Sequence, residues 1–452
     1  MKVCSNSKAY LLNPCVNFLG VTILKVILLI LDGVADSVKY RPTSLEMAKT
    51  PGLDSLASKS IGGCFHPIDS ETAPESDAAV FSILGYDPKS INVGRGLLEA
   101  LGVGVGIREG FEVAFRANFA TIDYKTRRII DRRVGRSLSS SEAKELARSL
   151  DGMKLGHYDS YVRVFATIGH RGVVIVGSNE RRLSANVSNT DPAYGRVGRV
   201  SIALDKFEPY VAKCAPLDDT EEAKVTCKLV NEFTEKTIEV LENHPINVAR
   251  AQKGLPKANV LLLRDAEDRY PDIQLISQLY GLSFGIVAEM PVEKGIGKLL
   301  GMKVAEVSPP TGDAERDLKE RLEATLSLLK TVDVVYVHLK GPDEPGHDGD
   351  KARKVKSIEA IDEFYIQPLC DSIDLSNTAV VVTADHATPP EFKAHTSDPV
   401  PLIVAYNGLK RFDGIARFTE VECCTKGSLA ILPHGYVILR KVFMLLKSSS
   451  SL

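Results

Sequence analysis

The chain reads as an α/β protein: a mostly parallel central sheet flanked by helices, with a smaller α/β or α+β domain inserted into it. Three observations predict this. The runs 25–31, 332–339 and 378–383 are short and largely apolar, as suits strands covered on both faces. Between the last two, 351–365 carries Val355, Ile358, Ile361 and Phe364 at helical spacing, and strand, helix and strand in series argue for a parallel sheet. The middle of the chain has another texture. There 111–131 and 162–178 read as sheet segments, 221–242 reads as a helix, and the clustered Asp and His residues found toward both ends are almost missing.

Taken in order, the first strand, 25–31, ends in Leu31-Asp32-Gly33, which delivers an acidic side chain to the strand's carboxyl end. A helix is predicted over 43–58, with Leu45, Ala48, Leu53 and Leu56 on its apolar face and a break at Pro51-Gly52. A second helical run, 78–84, follows Ser76. The expected division is a discontinuous domain over 21–93 and 271–447, a second domain inserted over 94–270, and an N-terminal extension over 1–20.

At 452 residues the chain has room for two or three domains and a large core. Its 56 basic and 58 acidic residues nearly cancel, to −2. No strong basic field exists to recruit nucleic acid or an anionic membrane, so any phosphate binding must come from local clusters; self-association is left open. The apolar stretch 18–31 is interrupted by Lys25, lacks a small-x-small cleavage site, and falls short of the roughly 20 residues a membrane span needs. The eight cysteines show no C-x-x-C spacing and are expected to be reduced thiols of a cytoplasmic protein, with Cys423 and Cys424 buried in a strand.

Three clusters carry the chemistry. Asp32 follows the first strand. Asp343 and His347 lie four apart in the loop Gly341-Pro342-Asp343-Glu344-Pro345-Gly346-His347 after 332–339. Asp385 and His386 follow 378–383, and His395 comes nine residues after His386. Each has an ordinary reading, as a turn aspartate or an acidic surface loop. Together they sit at the carboxyl ends of separate strands, where open α/β sheets place ligands. Carboxylates and imidazoles in this number exceed one tetrahedral ion and suit two cations, as phosphoryl-transfer sites use. The other histidines, His338 among them, look unclustered. An attacking oxygen is offered by Ser76, just ahead of a helix whose free N–H groups favour an anion; a plain N-cap serine is the competing reading. The insertion is rich in arginine, whose fork suits carboxylate and phosphate. Gly102, Gly104 and Gly106 form only a weak G-x-G-x-G pattern and read as turn chemistry.

These motifs occur in an order that resembles the alkaline phosphatase superfamily, and within it the archaeal-type 2,3-bisphosphoglycerate-independent phosphoglycerate mutases. The order is Leu31-Asp32-Gly33, Ser76-Asp77 before Leu84-Gly85-Tyr86-Asp87-Pro88, the Asp343/His347 loop, Thr383-Ala384-Asp385-His386, and His395-Thr396-Ser397-Asp398-Pro399-Val400-Pro401. Gly94-Arg95-Gly96, Phe115-Arg116-Ala117-Asn118 and Asp131-Arg132-Arg133-Val134-Gly135-Arg136 resemble that subgroup too. The resemblance implies an alkaline-phosphatase-like core and the glycolytic and gluconeogenic interconversion of 3-phosphoglycerate and 2-phosphoglycerate through a phosphoserine at Ser76. It implies two divalent ions (manganese, magnesium, cobalt or zinc), one held by Asp32, Ser76, Asp385 and His386, the other by Asp343, His347 and His395. It implies a substrate clamp of Asp131, Arg132, Arg133, Arg136, His170, Arg171 and Arg264, with Lys294 as a phosphate-binding lysine beside the metals. Arg264 is followed by Asp265-Ala266-Glu267-Asp268, where the family has a small Gly-rich segment. A metal-dependent phosphohydrolase or another phosphotransferase on the same scaffold, acting on phosphonates or homoserine-kinase-like, is the alternative.

Overall fold

The computed structural model describes residues 24–449 apart from Asn92, Gly198 and Arg199. The expected N-terminal extension, with Cys4 and Cys15, lies outside the described residues. An eight-stranded sheet forms the larger layer, in the order Lys303–Val304, Phe284–Val287, Val334–Leu339, Lys25–Leu31, Thr378–Thr383, Val400–Ala405, Ser60–Phe65, Ile431–Leu432. Only Val400–Ala405 runs against its neighbours; the other pairings are parallel.

The central strands are buried along nearly their whole length, with Ile27 to Leu31 and Val380 to Val382 fully enclosed. Each such side chain contributes about 1.5–3 kcal/mol by leaving water. β-Branched residues dominate because both faces of these strands are covered and their stiff side chains lose little freedom there. The helix expected over 43–58 is two pieces, Ser44–Met47 and Pro51–Ser58. Pro51 starts the second at its first position, where no N–H is needed. Over 351–365 the α-helix is Lys351–Ile361, continued by a π-helical turn, Asp362–Ile366.

A second sheet, antiparallel throughout, is built from Ile129–Asp131, Glu112–Ile122, Arg171–Ser178, Ser160–Ala166 and Val260–Glu267. The helix Glu221–Glu242 covers it and supplies Val225, Leu229, Val230 and Phe233 to a core of its own. This is the α+β form of the expected inserted unit. The helix Arg95–Gly102 packs against Pro291–Leu299 at backbone contact. Cβ atoms at Gly102 and Gly295 would collide with the carbonyls of Pro291 and Leu98, so glycine is what permits the crossing.

The cysteines correct the sequence reading. Cys64 is bonded to Cys424, and Cys214 to Cys227. Cys423 and Cys424 lie on the helix Glu420–Lys426, not on a strand, and Cys423 is a buried free thiol. Cys64 and Cys424 are 360 residues apart in sequence, so no local spacing marks the pair. Among the described residues no helix is long and apolar enough to cross a membrane.

Candidate active site at the carboxyl edge of the sheet

Three parallel strands end side by side, and each delivers part of the site. Lys25–Leu31 delivers Asp32, Val334–Leu339 leads into Lys340 and Asp343, and Thr378–Thr383 leads into Asp385 and His386. Gly33 turns the chain sharply after Asp32 at φ 61°, and its N–H donates to Asp385 Oδ1 at 3.1 Å. A Cβ there would lie 2.7 Å from Thr388 Oγ1 and 2.8 Å from Asp343.

The expected ligands come together. His386 Nε2 lies 3.3 Å from Asp32 Oδ1, 3.2 Å from Asp385 Oδ2 and 3.2 Å from Ser76 Oγ. Beside it, Asp343 Oδ1 is 3.4 Å from Nε2 of both His347 and His395, whose Nε2 atoms are 3.1 Å apart. Asp32, Asp385 and His386 form one group able to hold a cation, and Asp343, His386 and His395 another.

The tautomers follow from the outer contacts. Nδ1 of His347 points at the Lys393 carbonyl, 3.1 Å away, and Nδ1 of His395 at the Pro74 carbonyl, 2.7 Å away. A carbonyl only accepts, so both protons sit on Nδ1 and both Nε2 lone pairs face inward. Buried Asp32 Oδ1 and Asp385 Oδ2 have no hydrogen-bond partner in the protein. Inward lone pairs and orphaned carboxylate oxygens are a donor set for divalent cations, and oxygen and nitrogen without thiolate suits manganese, magnesium, cobalt or zinc. Asp32 is charged for this role. Burial opposes the charge on Asp32, but Lys340, His338 and His386 outweigh it and hold its pKa well below the usual range. Burial likewise pulls His386 down, yet Asp385 and Asp32 prevail and raise it to about 10.

Ser76 is the first residue of the helix Ser76–Ile83, and Glu75 holds the N-cap position. Its hydroxyl faces His386 instead of capping the helix. Arg95 flanks it, with Nη1 3.7 Å from Glu75 and Nε 3.4 Å from Asp77. Arg95 also acts on Arg116 and Arg171, and so joins the serine's helix to an arginine cluster. In that cluster Arg116 lies 3.6 Å from buried Glu99. Burial, then Arg95 and Arg264, lower Arg116 to about 9. Burial, then Arg171, Arg133 and Arg136, lower His170 to about 4, so its ring is neutral near neutral pH. A concentration of mutually repelling cations, in which Nε of Arg95 and of Arg116 meet carboxylates only at 3.4 and 3.6 Å, fits an anionic ligand.

Not every expected residue is open to a ligand. Arg132 spends its fork on buried Asp191, at 3.0 and 2.7 Å. Arg264 is 3.5 Å from the same carboxylate and stacks 4.1 Å from the Tyr194 ring centroid. Asp131 accepts the Arg133 backbone N–H at 2.7 Å. The acidic stretch after Arg264 is largely internal: Arg264 is 3.7 Å from Asp265, and Glu267 accepts the Gly94 N–H at 2.8 Å. The charges acting most on Lys294 are Glu306, Lys298, Arg321 and Glu289. The lysine found against a cluster carboxylate is Lys340, 2.9 Å from Asp32 and 2.8 Å from Glu293. His338, read as unclustered, is buried 3.7 Å from Asp385 and 3.8 Å from Asp32. The signal that would have found both is alternation: Tyr336, His338 and Lys340 lie two apart and share one face of the strand line.

Sheet order, the acid and imidazole cluster at its carboxyl edge and the helix-start serine together define an α/β protein with a candidate cation-binding site beside a serine hydroxyl. A family profile described as 2,3-bisphosphoglycerate-independent phosphoglycerate mutase matches residues 57–247. A protein of that name from Aeropyrum pernix is 43% identical, covering 94% of this chain and 100% of its own. One from Archaeoglobus fulgidus, 2,3-bisphosphoglycerate-independent phosphoglycerate mutase 1, is 38% identical over 89% of this chain and 94% of its own. Among solved structures, the PH0037 protein from Pyrococcus horikoshii aligns with TM-score 0.72 and 30% identity, covering 94% of this chain and 98% of that one. The cofactor-independent phosphoglycerate mutase from Thermoplasma acidophilum aligns with TM-score 0.59 and 28% identity, over 93% and 99%. The chain belongs to the 2,3-bisphosphoglycerate-independent phosphoglycerate mutase family.

Proposed function

We propose that this chain interconverts 3-phosphoglycerate and 2-phosphoglycerate by passing the phosphoryl group through Ser76, with no diffusible bisphosphoglycerate. The observation that carries this is the contact of Ser76 Oγ with the cluster of His386, Asp32 and Asp385 at a helix start. Asp32, Ser76, Asp385 and His386 would hold one divalent ion, and Asp343, His347 and His395 a second. When bound, such ions neutralise phosphoryl oxygens and lower the pKa of a coordinated hydroxyl.

The protein's residues do the rest. Ser76 Oγ loses its proton and bonds to phosphorus while the bond from phosphorus to the glycerate oxygen breaks and that oxygen takes up a proton. The N-terminal N–H groups of Ser76–Ile83 stabilise the transferred anion. Residues 94–270 form the substrate domain, in which Arg116 and Arg171 hold the glycerate carboxylate and neutral His170 stands beside them. Glycerate then presents its other hydroxyl, which takes the phosphoryl group back from Ser76. Lys340 keeps Asp32 and Glu293 charge-compensated. The test is conversion of 3-phosphoglycerate, coupled to enolase, without added bisphosphoglycerate. Release of free phosphate at the same rate as substrate loss contradicts the proposal.

A further inference from the structure

Thr388 lies just beyond the Asp385-His386 pair and is fully buried. Its hydroxyl makes two short contacts, 2.9 Å to His386 Nδ1 and 2.8 Å to Asp343 Oδ1. A hydroxyl has one proton to give. Asp343 Oδ1 is a carboxylate oxygen and accepts from the Thr388 hydroxyl. The Thr388 proton therefore goes to Asp343, and the oxygen accepts the Nδ1–H of His386. That presents Nε2 of His386 to Asp32, Asp385 and Ser76.

The backbone around this hydroxyl is held just as firmly. The Thr388 N–H donates to the Ala35 carbonyl at 3.0 Å. Its own carbonyl accepts from the buried Lys354 ammonium at 2.9 Å, and that ammonium is anchored by Asp36 at 2.7 Å. A Cβ on Gly33 or Gly346 would run into Thr388, so two glycines give the threonine its space.

We infer that Thr388 is a positioning residue shared by the two metal sites: one hydroxyl orients a ligand of each, so the affinities of both sites depend on it. This rests on the two-ion reading of the Asp32 and Asp343 clusters. Outer contacts to metal ligands are typically worth about 10–100-fold in affinity. A residue that touched one ligand would weaken one site; Thr388 touches His386 and Asp343 and weakens both.

The test compares manganese uptake by wild-type protein, Thr388→Val and Thr388→Ser, using calorimetry and elemental analysis after dialysis. Valine keeps the shape and removes the hydroxyl; serine keeps the hydroxyl. The expected result is two ions in the wild type, about a 10–100-fold loss of affinity at both sites in Thr388→Val, and recovery in Thr388→Ser. Melting of the metal-free proteins provides the control, and a purely structural role would lower it in the valine variant without a selective loss of uptake. Wild-type uptake of two ions with unchanged affinities in Thr388→Val overturns this inference alone. Weakening of one site only also overturns it. A wild-type protein that binds no manganese overturns the two-ion reading and this inference with it.

Discussion

His347 and His395 face each other Nε2 to Nε2 across 3.1 Å, while carbonyls of Lys393 and Pro74 hold both protons on the far nitrogens. Two lone pairs that close, with Asp343 Oδ1 3.4 Å from each, repel unless a cation lies among them. Removal of metal should therefore abolish turnover, and manganese or cobalt should restore it. His347→Ala should bind about one ion fewer per chain by elemental analysis, since two-metal sites depend on complete ligand sets. Full turnover in excess chelator, with the protein shown to be metal-free, contradicts this.

Ser76 Oγ, 3.2 Å from His386 Nε2, is the hydroxyl at the cluster. Ser76→Ala should lose about a thousandfold or more in kcat, because the covalent route disappears while binding groups remain. Metal content and melting temperature should hold. Mass spectrometry of wild-type protein quenched during turnover should find phosphate on Ser76. An alanine variant with near-normal turnover removes this residue from the mechanism.

The arginines divide into two kinds. Arg171 is half-buried beside Arg95, Arg133 and Arg264, with Glu99 the main counter-charge. Arg171→Ala should cut mutase activity by about 100-fold or more and leave slow hydrolysis of an aryl phosphate nearly intact, because the aryl substrate has no carboxylate to hold. Arg132→Ala should behave otherwise. It strips buried Asp191 of its bidentate partner and should destabilise the fold by about 3 kcal/mol, read as a lower Tm. Both activities should then fall together.

Much of this was legible from residue order and some of it was not, for physical reasons. The strands Lys25–Leu31 and Thr378–Thr383 stand out because burial on both faces demands largely apolar residues. Their following residues, Asp32, Asp385 and His386, could be placed once the strands were. Thr388 and Glu293 could not, because their roles arise from contacts between elements far apart in sequence. Thr388 looks like any threonine until Asp343 comes to 2.8 Å from it. Arg132 and Arg171 look alike in sequence, and only Asp191 separates their roles. The bond between Cys64 and Cys424 depends on a strand and a helix that meet only in the folded chain.

His170 gives a pH prediction. Burial, then Arg171, Arg133 and Arg136, lower its pKa to about 4, against about 6.5 in an unfolded chain. As pH falls, the unfolded chain takes up this proton first, so folding loses stability. The contribution is present above about pH 6.5 and fades as pH drops toward 4. Metal-free wild-type protein should therefore lose more in Tm on going from about pH 7 to about pH 5 than His170→Gln does. Parallel losses in the two proteins contradict the assignment.

Retention of glycerate is the last expectation, and it separates a mutase from a phosphatase. Both begin with the same phosphoserine, and water is always available to attack it. A mutase must keep glycerate bound and water out while Ser76 carries phosphate. The structure offers a means: Arg95 touches the acidic residues on either side of Ser76 and also belongs to the arginine cluster of 94–270. On the proposed mechanism, glycerate held by that cluster should stay against the helix start while its hydroxyls exchange places. With labelled free glycerate in the medium, little label should enter phosphoglycerate, and phosphate should appear much more slowly than product. Arg171→Ala should loosen the hold, so that a larger share of turnovers ends in free phosphate and more label is captured. If the intact protein releases phosphate as fast as it consumes 3-phosphoglycerate, or mixes label freely, glycerate is not retained and the arginine cluster does not serve this purpose.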